Sequence, residues 1–279
     1  MYSRASQLSR TAQSLSRLIH SLSPPPAQAL TNTCNALYQI PIRRGSRAAK
    51  MSDIVLPDEV PSIAQLYREG TLKAAPDGTN PPATQIGPKE RPEPSDELNN
   101  VVALFMGDIT TLGVGAAVNA ANKRLRGGGG VDGAFHRAAG PELLKECEKH
   151  SGCPTGDVVM TLSFDMPCSK IIHTVGPVYH SYPKDEAERL LASCYTKSLQ
   201  LAAKTGLRSI AFPALSTGIF GYPNRDGAAV ALSATRQFLT GEGKGTMDKV
   251  IFTVFLDKGK DEKAYKELIP LFFPPVVQD

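Results

Sequence analysis

Residues 127–132 read Gly-Gly-Gly-Gly-Val-Asp, and they lie between Val118-Asn119-Ala120-Ala121-Asn122 and Gly133-Ala134-Phe135-His136. Four glycines in a row, Gly127, Gly128, Gly129 and Gly130, let backbone N–H groups come close to an anion and adopt positive φ without strain. Asp132 and His136 are four apart in what reads as a helix opening at Val131 or Asp132, so their side chains share one face above the loop. Asn119 and Asn122 carry amides that both donate to and accept from sugar hydroxyls. Together these groups suit a phosphorylated sugar. Asp132 can orient or deprotonate a water, a contribution of about 10²–10⁴-fold, and His136 can hold a hydroxyl or a leaving group. Each also has a plainer reading alone: Asp132 as a helix cap, Asn122 as a turn former, His136 as a structural histidine.

Two further segments extend the chemistry. Gly107-Asp108-Ile109-Thr110 closes a strand-like run; a carboxylate there can accept from the exocyclic amine of adenine, although a lone Asp in that place reads as a turn cap. Pro213 to Pro223 contains Ser216, Thr217, Gly218, Ile219 and Phe220, a loop of successive N–H groups and two hydroxyls that fits a phosphate where no lysine is supplied. It is not a Walker loop, because GxxxxGK[ST] is absent, and no GxGxxG opens a helix after the first strand. Two anion-cradling loops match the two phosphates of a pyrophosphate. His173 sits inside an apolar strand and reads as core or wall. His20, His150 and His180 form no recognisable cluster with it or with the cysteines, so the spacing does not read as a zinc site.

The elements that must position these residues alternate. Val101 to Met106, Ala116 to Asn119, Lys170 to Val175, Ser209 to Pro213 and Lys249 to Leu256 read as buried strands, with Thr155 to Leu162 as a further candidate. Val131 to Ala139, Glu142 to His150, Glu186 to Lys204 and Arg225 to Thr240 have helical spacing. This order predicts a mixed, largely parallel sheet between helices, the α/β class, with ligands at the carboxyl ends of the strands.

Of the 31 basic residues, seven lie in residues 1–50 with no acid, leaving 24 against 27 acidic groups and a net of about −3 for the rest. Bulk charge therefore gives the remainder no footprint for nucleic acid. Residues 1–50 are Ser- and Arg-rich, with apolar positions at steps of three and four, and read as a mitochondrial transit leader or a disordered extension. Translation from Met51 would instead leave a cytosolic or nuclear product. Residues 51–97 form a linker with six prolines between Pro76 and Pro94 and one short helix near Ile63 to Arg68; residues 98–279 form the globular domain. Five cysteines without a CxxC pair read as reduced thiols, and no stretch of 18 apolar residues is present to span a membrane. A monomer suffices, since no coiled-coil or repeat pattern demands assembly.

Taken jointly and in this order, the segments 107–110, 118–122, 127–141, 172–177 and 212–223 resemble the macrodomain family, and specifically its MacroD-type ADP-ribosyl hydrolases, over roughly residues 98–274. The resemblance implies a three-layer α/β/α sandwich that binds ADP-ribose. It implies cleavage of the ester between the distal ribose and a protein Asp or Glu, together with deacetylation of O-acetyl-ADP-ribose; a non-catalytic reader of ADP-ribose is the alternative. By the same likeness Asp108 binds the adenine amine with Ile109 beside it, and Phe255 packs on the ring. Gly127 to Val131 and Ser216 to Phe220 hold the diphosphate and distal ribose, and Asn119, Asn122, Asp132 and His136 surround the scissile ester. Either Asp132 or the substrate's own phosphate activates the water. No cofactor or metal is implied; the partners are ADP-ribose, its esters and mono-ADP-ribosylated proteins.

Overall fold

Alternation within the strands decides the architecture. In the computed structural model, which describes residues 53–255 and 259–276, Val102, Leu104, Val118, Ile172, Ile210, Phe212, Val250 and Phe252 point into one apolar cluster. Their immediate neighbours Ala103, Ala117, Ile171, Ala211 and Ile251 point into a second. Successive side chains on a strand face opposite ways, so a sheet buried on both faces needs apolar residues at every position and a helical layer on each side.

The strands are β1 (Val102–Met106), β2 (Ala116–Ala120), β3 (Val158–Leu162), β4 (Lys170–Thr174), β5 (Ser209–Pro213) and β6 (Lys249–Val254). They lie in the order β1-β6-β5-β2-β4-β3. All neighbouring pairs are parallel except β3 with β4, which is antiparallel. The sheet is thus mixed and largely parallel, with helices on both faces.

Helices α1 (Ile63–Arg68), α2 (Asp96–Val101), α5 (Lys184–Lys204), α6 (Asn224–Thr240) and α7 (Lys260–Phe272) cover one face; α3 (Gly130–Ala139) and α4 (Pro141–Cys147) cover the other. The chain leaving β2 therefore turns to the opposite face from the chain leaving β5. β2 and β5 pair only at Ala116↔Ile210 and Ala117↔Ala211, whereas β2 and β4 pair over five positions. Beyond Ala117 and Ala211 the two strands part, and a crevice opens where the connections diverge, the place where open α/β sheets bind ligands.

The proline-rich stretch before α2 lies against this sandwich. Ile63, Leu66 and Leu72 are buried in the first cluster, and the Tyr67 hydroxyl donates to the Phe273 carbonyl at 2.8 Å. Thr84 and Ser233 hydroxyls meet at 2.8 Å, and Arg91 reaches the Ala75 carbonyl at 3.2 Å. Helix α7, absent from the sequence reading, carries Ala264, Tyr265, Leu268, Ile269 and Phe272 into the same cluster despite Pro270. The leader, residues 1–50, lies outside the described residues.

Candidate active site

Strand parity sends Asn119 and Asp132 toward one another. Asn119 shares its face of β2 with Ala117, the face covered by α3, and Asp132 is the third residue of that helix. The Asn119 amide Nδ2 donates to Asp132 Oδ1 at 2.8 Å, and Asn122 Nδ2 donates to Asp132 Oδ2 at 3.2 Å and to the Gly127 carbonyl at 2.7 Å. His136 Nε2 lies 3.6 Å from Asp132 Oδ1. All four residues are together, as the sequence predicts. Asp132 does not cap its helix: the helix opens at Gly130, the cap position is Gly129, and the carboxylate bonds to the two asparagines instead. Burial pushes its pKa above the ordinary 3.8, against the lowering pull of the Asn119 bond, the His136 charge and the Asn122 bond.

His173, read from sequence as core or wall, is wholly buried and stands beside Asn119 in the β2–β4 register. Asn119 Nδ2 faces His173 Nδ1 at 3.1 Å, and His173 Nε2 faces Thr161 Oγ1 at 3.0 Å. Because Nδ2 is a donor, Nδ1 must accept, which assigns the proton to Nε2 and makes it the donor to Thr161; the Thr161 hydroxyl donates onward to the Leu162 carbonyl at 3.1 Å. Burial holds the His173 pKa down at about 3, so the imidazole is neutral and fit for this role. A single polar line thus runs from β3 through β4 and β2 to the carboxylate on α3.

Glycine is required at particular points. Gly127 and Gly130 have φ of +75° and +59°, and a Cβ on Gly133 would lie 2.5 Å from the Gly128 carbonyl oxygen, so the loop can pack onto α3 only because residue 133 lacks a side chain. Across the crevice Ser216 sits at φ +63°, an uncommon conformation for a residue with a side chain, and its hydroxyl fits because Gly176 has none: a Cβ there would meet Ser216 Oγ at 2.1 Å. Asp261 on α7 fastens this second loop, accepting from Thr217 Oγ1 at 3.2 Å and from Asn224 Nδ2 at 2.7 Å.

Between the loops lies a cavity of about 380 Å³ whose lining includes Gly107, Ile109, Val131, Thr217, Gly218 and Phe255. That volume is within the ordinary range for small-molecule sites. Among the described residues, no backbone N–H from Gly128 to Val131, and none from Thr217 to Phe220, donates a hydrogen bond. Two sets of amides therefore flank the crevice as anion donors, one of them at the N-terminus of α3. Among the described residues, six buried side-chain atoms have no partner, and four of them, Asn119 Oδ1, His136 Nε2, Ser216 Oγ and Thr253 Oγ1, belong to the strands, helix and loop that border the crevice. Buried polar atoms are normally satisfied, so this concentration marks a polar ligand site.

At the far end Asp108 is exposed between Gly107 and Ile109. Its Oδ1 accepts from the Thr110 N–H at 2.9 Å and the Thr110 hydroxyl at 2.8 Å, so it caps its own turn, while Oδ2 bonds to no described residue. Phe255 is 67% exposed and Ile219 93% exposed; of the residues predicted from sequence, Ile109, Val131, Thr217, Gly218 and Phe255 line the cavity, whereas Asp108, Asn119, Asn122, Gly127 to Gly130, Asp132, His136, Ser216, Ile219 and Phe220 are not part of its lining. The sequence reading missed His173, Thr161, Gly133, Gly176, Thr253 and Asp261. Gly133, His173 and Gly176 lay inside the segments 127–141 and 172–177, with His173 read only as core or wall; Thr161, Thr253 and Asp261 carried no signal.

The Macro domain family model matches residues 118–231, the segment that runs from Asn119 through both glycine loops into α6. "ADP-ribose glycohydrolase MACROD2" of Xenopus laevis is 42% identical over 231 residues, 83% of this chain and 52% of that protein. "ADP-ribose glycohydrolase MACROD1" of Rattus norvegicus is 47% identical over 178 residues, 64% of this chain and 68% of that protein. The chain spans about half the length of the first curated relatives it matches, 52% and 54%. Among solved structures, the Trypanosoma brucei macrodomain in complex with ADP-ribose has a TM-score of 0.64 and 33% identity, covering 91% of this chain and 94% of that one. With the carboxylate, both asparagines and both anion loops inside the matched segment and two thirds of the rat protein covered at 47% identity, this chain belongs to the macro domain family.

Proposed function

We propose that this protein hydrolyses the ester between the distal ribose of ADP-ribose and an Asp or Glu side chain of a protein, and that it also deacetylates O-acetyl-ADP-ribose. The observation that carries this reading is the buried Asp132 carboxylate held between the Asn119 and Asn122 amides at one end of the crevice. Binding alone requires the two amide-lined loops; it does not require a desolvated carboxylate oriented by two donors. Relatives named ADP-ribose glycohydrolase and a neighbour bound to ADP-ribose support the substrate class.

In this reading the diphosphate lies between the Gly127–Val131 and Ser216–Phe220 amides, adenine between Ile109 and Phe255 with its amine on Asp108, and the distal ribose against Asn119, Asn122 and His136. Asp132 accepts a proton from water, whose hydroxyl adds to the ester; the ribose oxygen leaves protonated, and ADP-ribose and the free carboxyl group separate. A carboxylate whose pKa burial has raised is a stronger base than one in water. The protein acts as a monomer, without nucleic acid, and the acid-free leader directs it to mitochondria, which a reporter fused to residues 1–50 tests by its distribution.

The deciding experiment is release of labelled ADP-ribose from a Glu-linked mono-ADP-ribosylated protein by the wild type and by Asp132→Ala. Release by the wild type alone is expected. Binding without release by either protein would make the chain a reader.

A further inference from the structure

A second groove, of about 370 Å³, lies on the outer side of the loop that carries Asn122, lined on one wall by Lys123, Arg124 and Arg126 and on the other by Glu148, His150 and Gly152. The three cations are exposed, and none makes an ion pair or a side-chain hydrogen bond among the described residues. The contrast with the helix next door is sharp: Lys145 and Lys149 on and just after α4 are each paired, with Glu142 at 2.7 Å and Glu146 at 2.6 Å. Nor does the cluster reflect a basic protein, since residues 51–279 carry about three more acidic than basic groups.

The groove is built, not a chance gathering of surface charge. The Asn122 carbonyl accepts from the Leu125 N–H and its side-chain Oδ1 from the Arg124 N–H, both at 3.0 Å, which closes a tight turn. Leu125 occupies the left-handed region at φ +56° and is wholly buried in the second core cluster, so it anchors the turn and leaves Arg124 and Arg126 outward on either side of it. The opposite wall is tied on by the Cys153 N–H, which donates to the Lys123 carbonyl at 2.9 Å. Gly152, at φ +102°, makes that approach possible, because a Cβ there would stand 2.6 Å from the Lys123 oxygen. The same Asn122 side chain that starts the turn bonds to Asp132, so the cationic wall begins one residue from the amide that positions the carboxylate.

We propose that this groove binds an acidic peptide, namely the stretch of substrate protein that flanks the modified residue. The inference rests on the hydrolase reading above: an acceptor whose ester reaches Asp132 brings its flanking residues close to the turn that Asn122 begins, since that one side chain bonds to Asp132 and to the Arg124 N–H of the turn. Three unpaired cations facing one exposed carboxylate, Glu148, favour a partner rich in Asp and Glu. A single-stranded nucleic acid fits less well, because the groove offers one imidazole, His150, and no Phe, Tyr or Trp on which successive bases could stack.

The test uses the full chain and a K123S/R124S/R126S variant. Among the described residues these side chains bond to nothing, and the backbone contacts of the turn stay. Two synthetic peptides carry one mono-ADP-ribosyl-Glu each, flanked in one by Asp and Glu and in the other by Ser and Gly; O-acetyl-ADP-ribose is the third substrate. Wild type is expected to show a KM roughly ten-fold lower for the acidic peptide, as three exposed pairs of ordinary strength would give, and to lose that preference in high salt. The variant should treat both peptides alike while cleaving O-acetyl-ADP-ribose at the wild-type rate. A variant that keeps the preference, or loses both peptides equally, overturns the proposal, as does an unmodified oligonucleotide that competes more strongly than an unmodified acidic peptide. If wild type releases ADP-ribose from none of the three, the hydrolase reading fails. The groove is then read from binding alone: tighter binding of the acidic modified peptide, abolished in the variant with ADP-ribose affinity unchanged, supports it, and equal binding of the two peptides refutes it.

Discussion

At one end of the crevice Asn119 and His173 are wholly buried and joined with Asp132, Asn122 and Thr161 in one hydrogen-bonded line; at the other, Asp108 bonds, among the described residues, only within its own turn, and Phe255 is 67% exposed. The first end is fixed before a ligand arrives, with the Asn119 amide nitrogen committed to Asp132 and His173 and the Asn122 amide nitrogen to Asp132 and the Gly127 carbonyl. The second has one committed carboxylate oxygen and an aromatic ring largely in water. Preorganisation matters most where charge develops in a reaction, because fixed groups need no rearrangement at that moment. Recognition of a flat base tolerates adjustment. The division predicts that substitutions at the Asp132 end act on turnover and those at the Asp108 end act on affinity.

The largest break should come from Asp132→Ala. Turnover of a Glu-linked ADP-ribosyl substrate is expected to fall by about 10²–10⁴-fold, while ADP-ribose affinity measured by calorimetry stays within a few-fold. A parallel loss of affinity would mean that the carboxylate holds ligand and does not act on it. The pH dependence sharpens the point. Only the ionised carboxylate can take a proton, so kcat/KM should decline as pH falls through the Asp132 pKa, and burial moves that decline above the ordinary 3.8. A rate that stays flat below that range would exclude Asp132 as the base.

His173 tests whether the buried line is a working part of the end it supports. Replacing it with Leu leaves the second proton of Asn119 Nδ2 without an acceptor, a loss of about 1–3 kcal/mol in a buried site. A fall in kcat of roughly ten-fold with KM unchanged is expected, and His173→Gln, which can accept and donate in the same directions, should recover part of it. The histidine also leaves a signature in stability. Its pKa is about 3 in the folded protein against an ordinary 6.5, so below pH 6.5 the unfolded chain takes up a proton that the folded one does not. Stability should then drop by about 1.4 kcal/mol for each pH unit down toward pH 3, and urea midpoints should show that slope flattened in His173→Leu.

This line was not legible in the sequence, for a physical reason. Asn119 and His173 are 54 positions apart and become neighbours only through the β2–β4 register, and Thr161 reaches the ring from an antiparallel strand whose pairing no local pattern specifies. What sequence could show was local: the strand periods, the glycine run, and the i to i+4 relation of Asp132 and His136. The five parallel strands were readable to within two residues for that reason. Helix α7 escaped because Gly259 supplies no side-chain cap and Pro270 interrupts its last turn, so its start and end carry no ordinary signal. In residues 53–95 the short helix at Ile63 to Arg68 was legible, but the packing of the stretch around it was not, because prolines read as linker, whereas here Leu72 joins Ile63 and Leu66 in the core.

Asp108 lies between the extremes. Its Oδ1 is committed to Thr110, but Oδ2 is available to a donor such as an adenine amine. A hydrogen bond to a charged group contributes about 1.5–3 kcal/mol, so Asp108→Ala should weaken ADP-ribose binding by at least ten-fold with kcat little changed. An unchanged dissociation constant would remove the adenine assignment from this strand end.

The smallest effect belongs to Phe255, and it tests the comparison most finely. A ring that is mostly exposed has given up little water before a ligand arrives, so stacking on a base adds burial without any preformed contact being lost. Phe255→Ala is expected to raise the dissociation constant for ADP-ribose by only about three- to ten-fold, and Phe255→Leu by less, with kcat on saturating substrate unaffected. ADP-ribose and ribose 5-phosphate distinguish the cause. If the ring acts through the base, the substitution should weaken the first and leave the second untouched, whereas an equal effect on both would show Phe255 shaping the cavity wall that it shares with Thr217 and Gly218. In that case the open end would be as preorganised as the buried one, and the contrast drawn from their hydrogen bonds would fail.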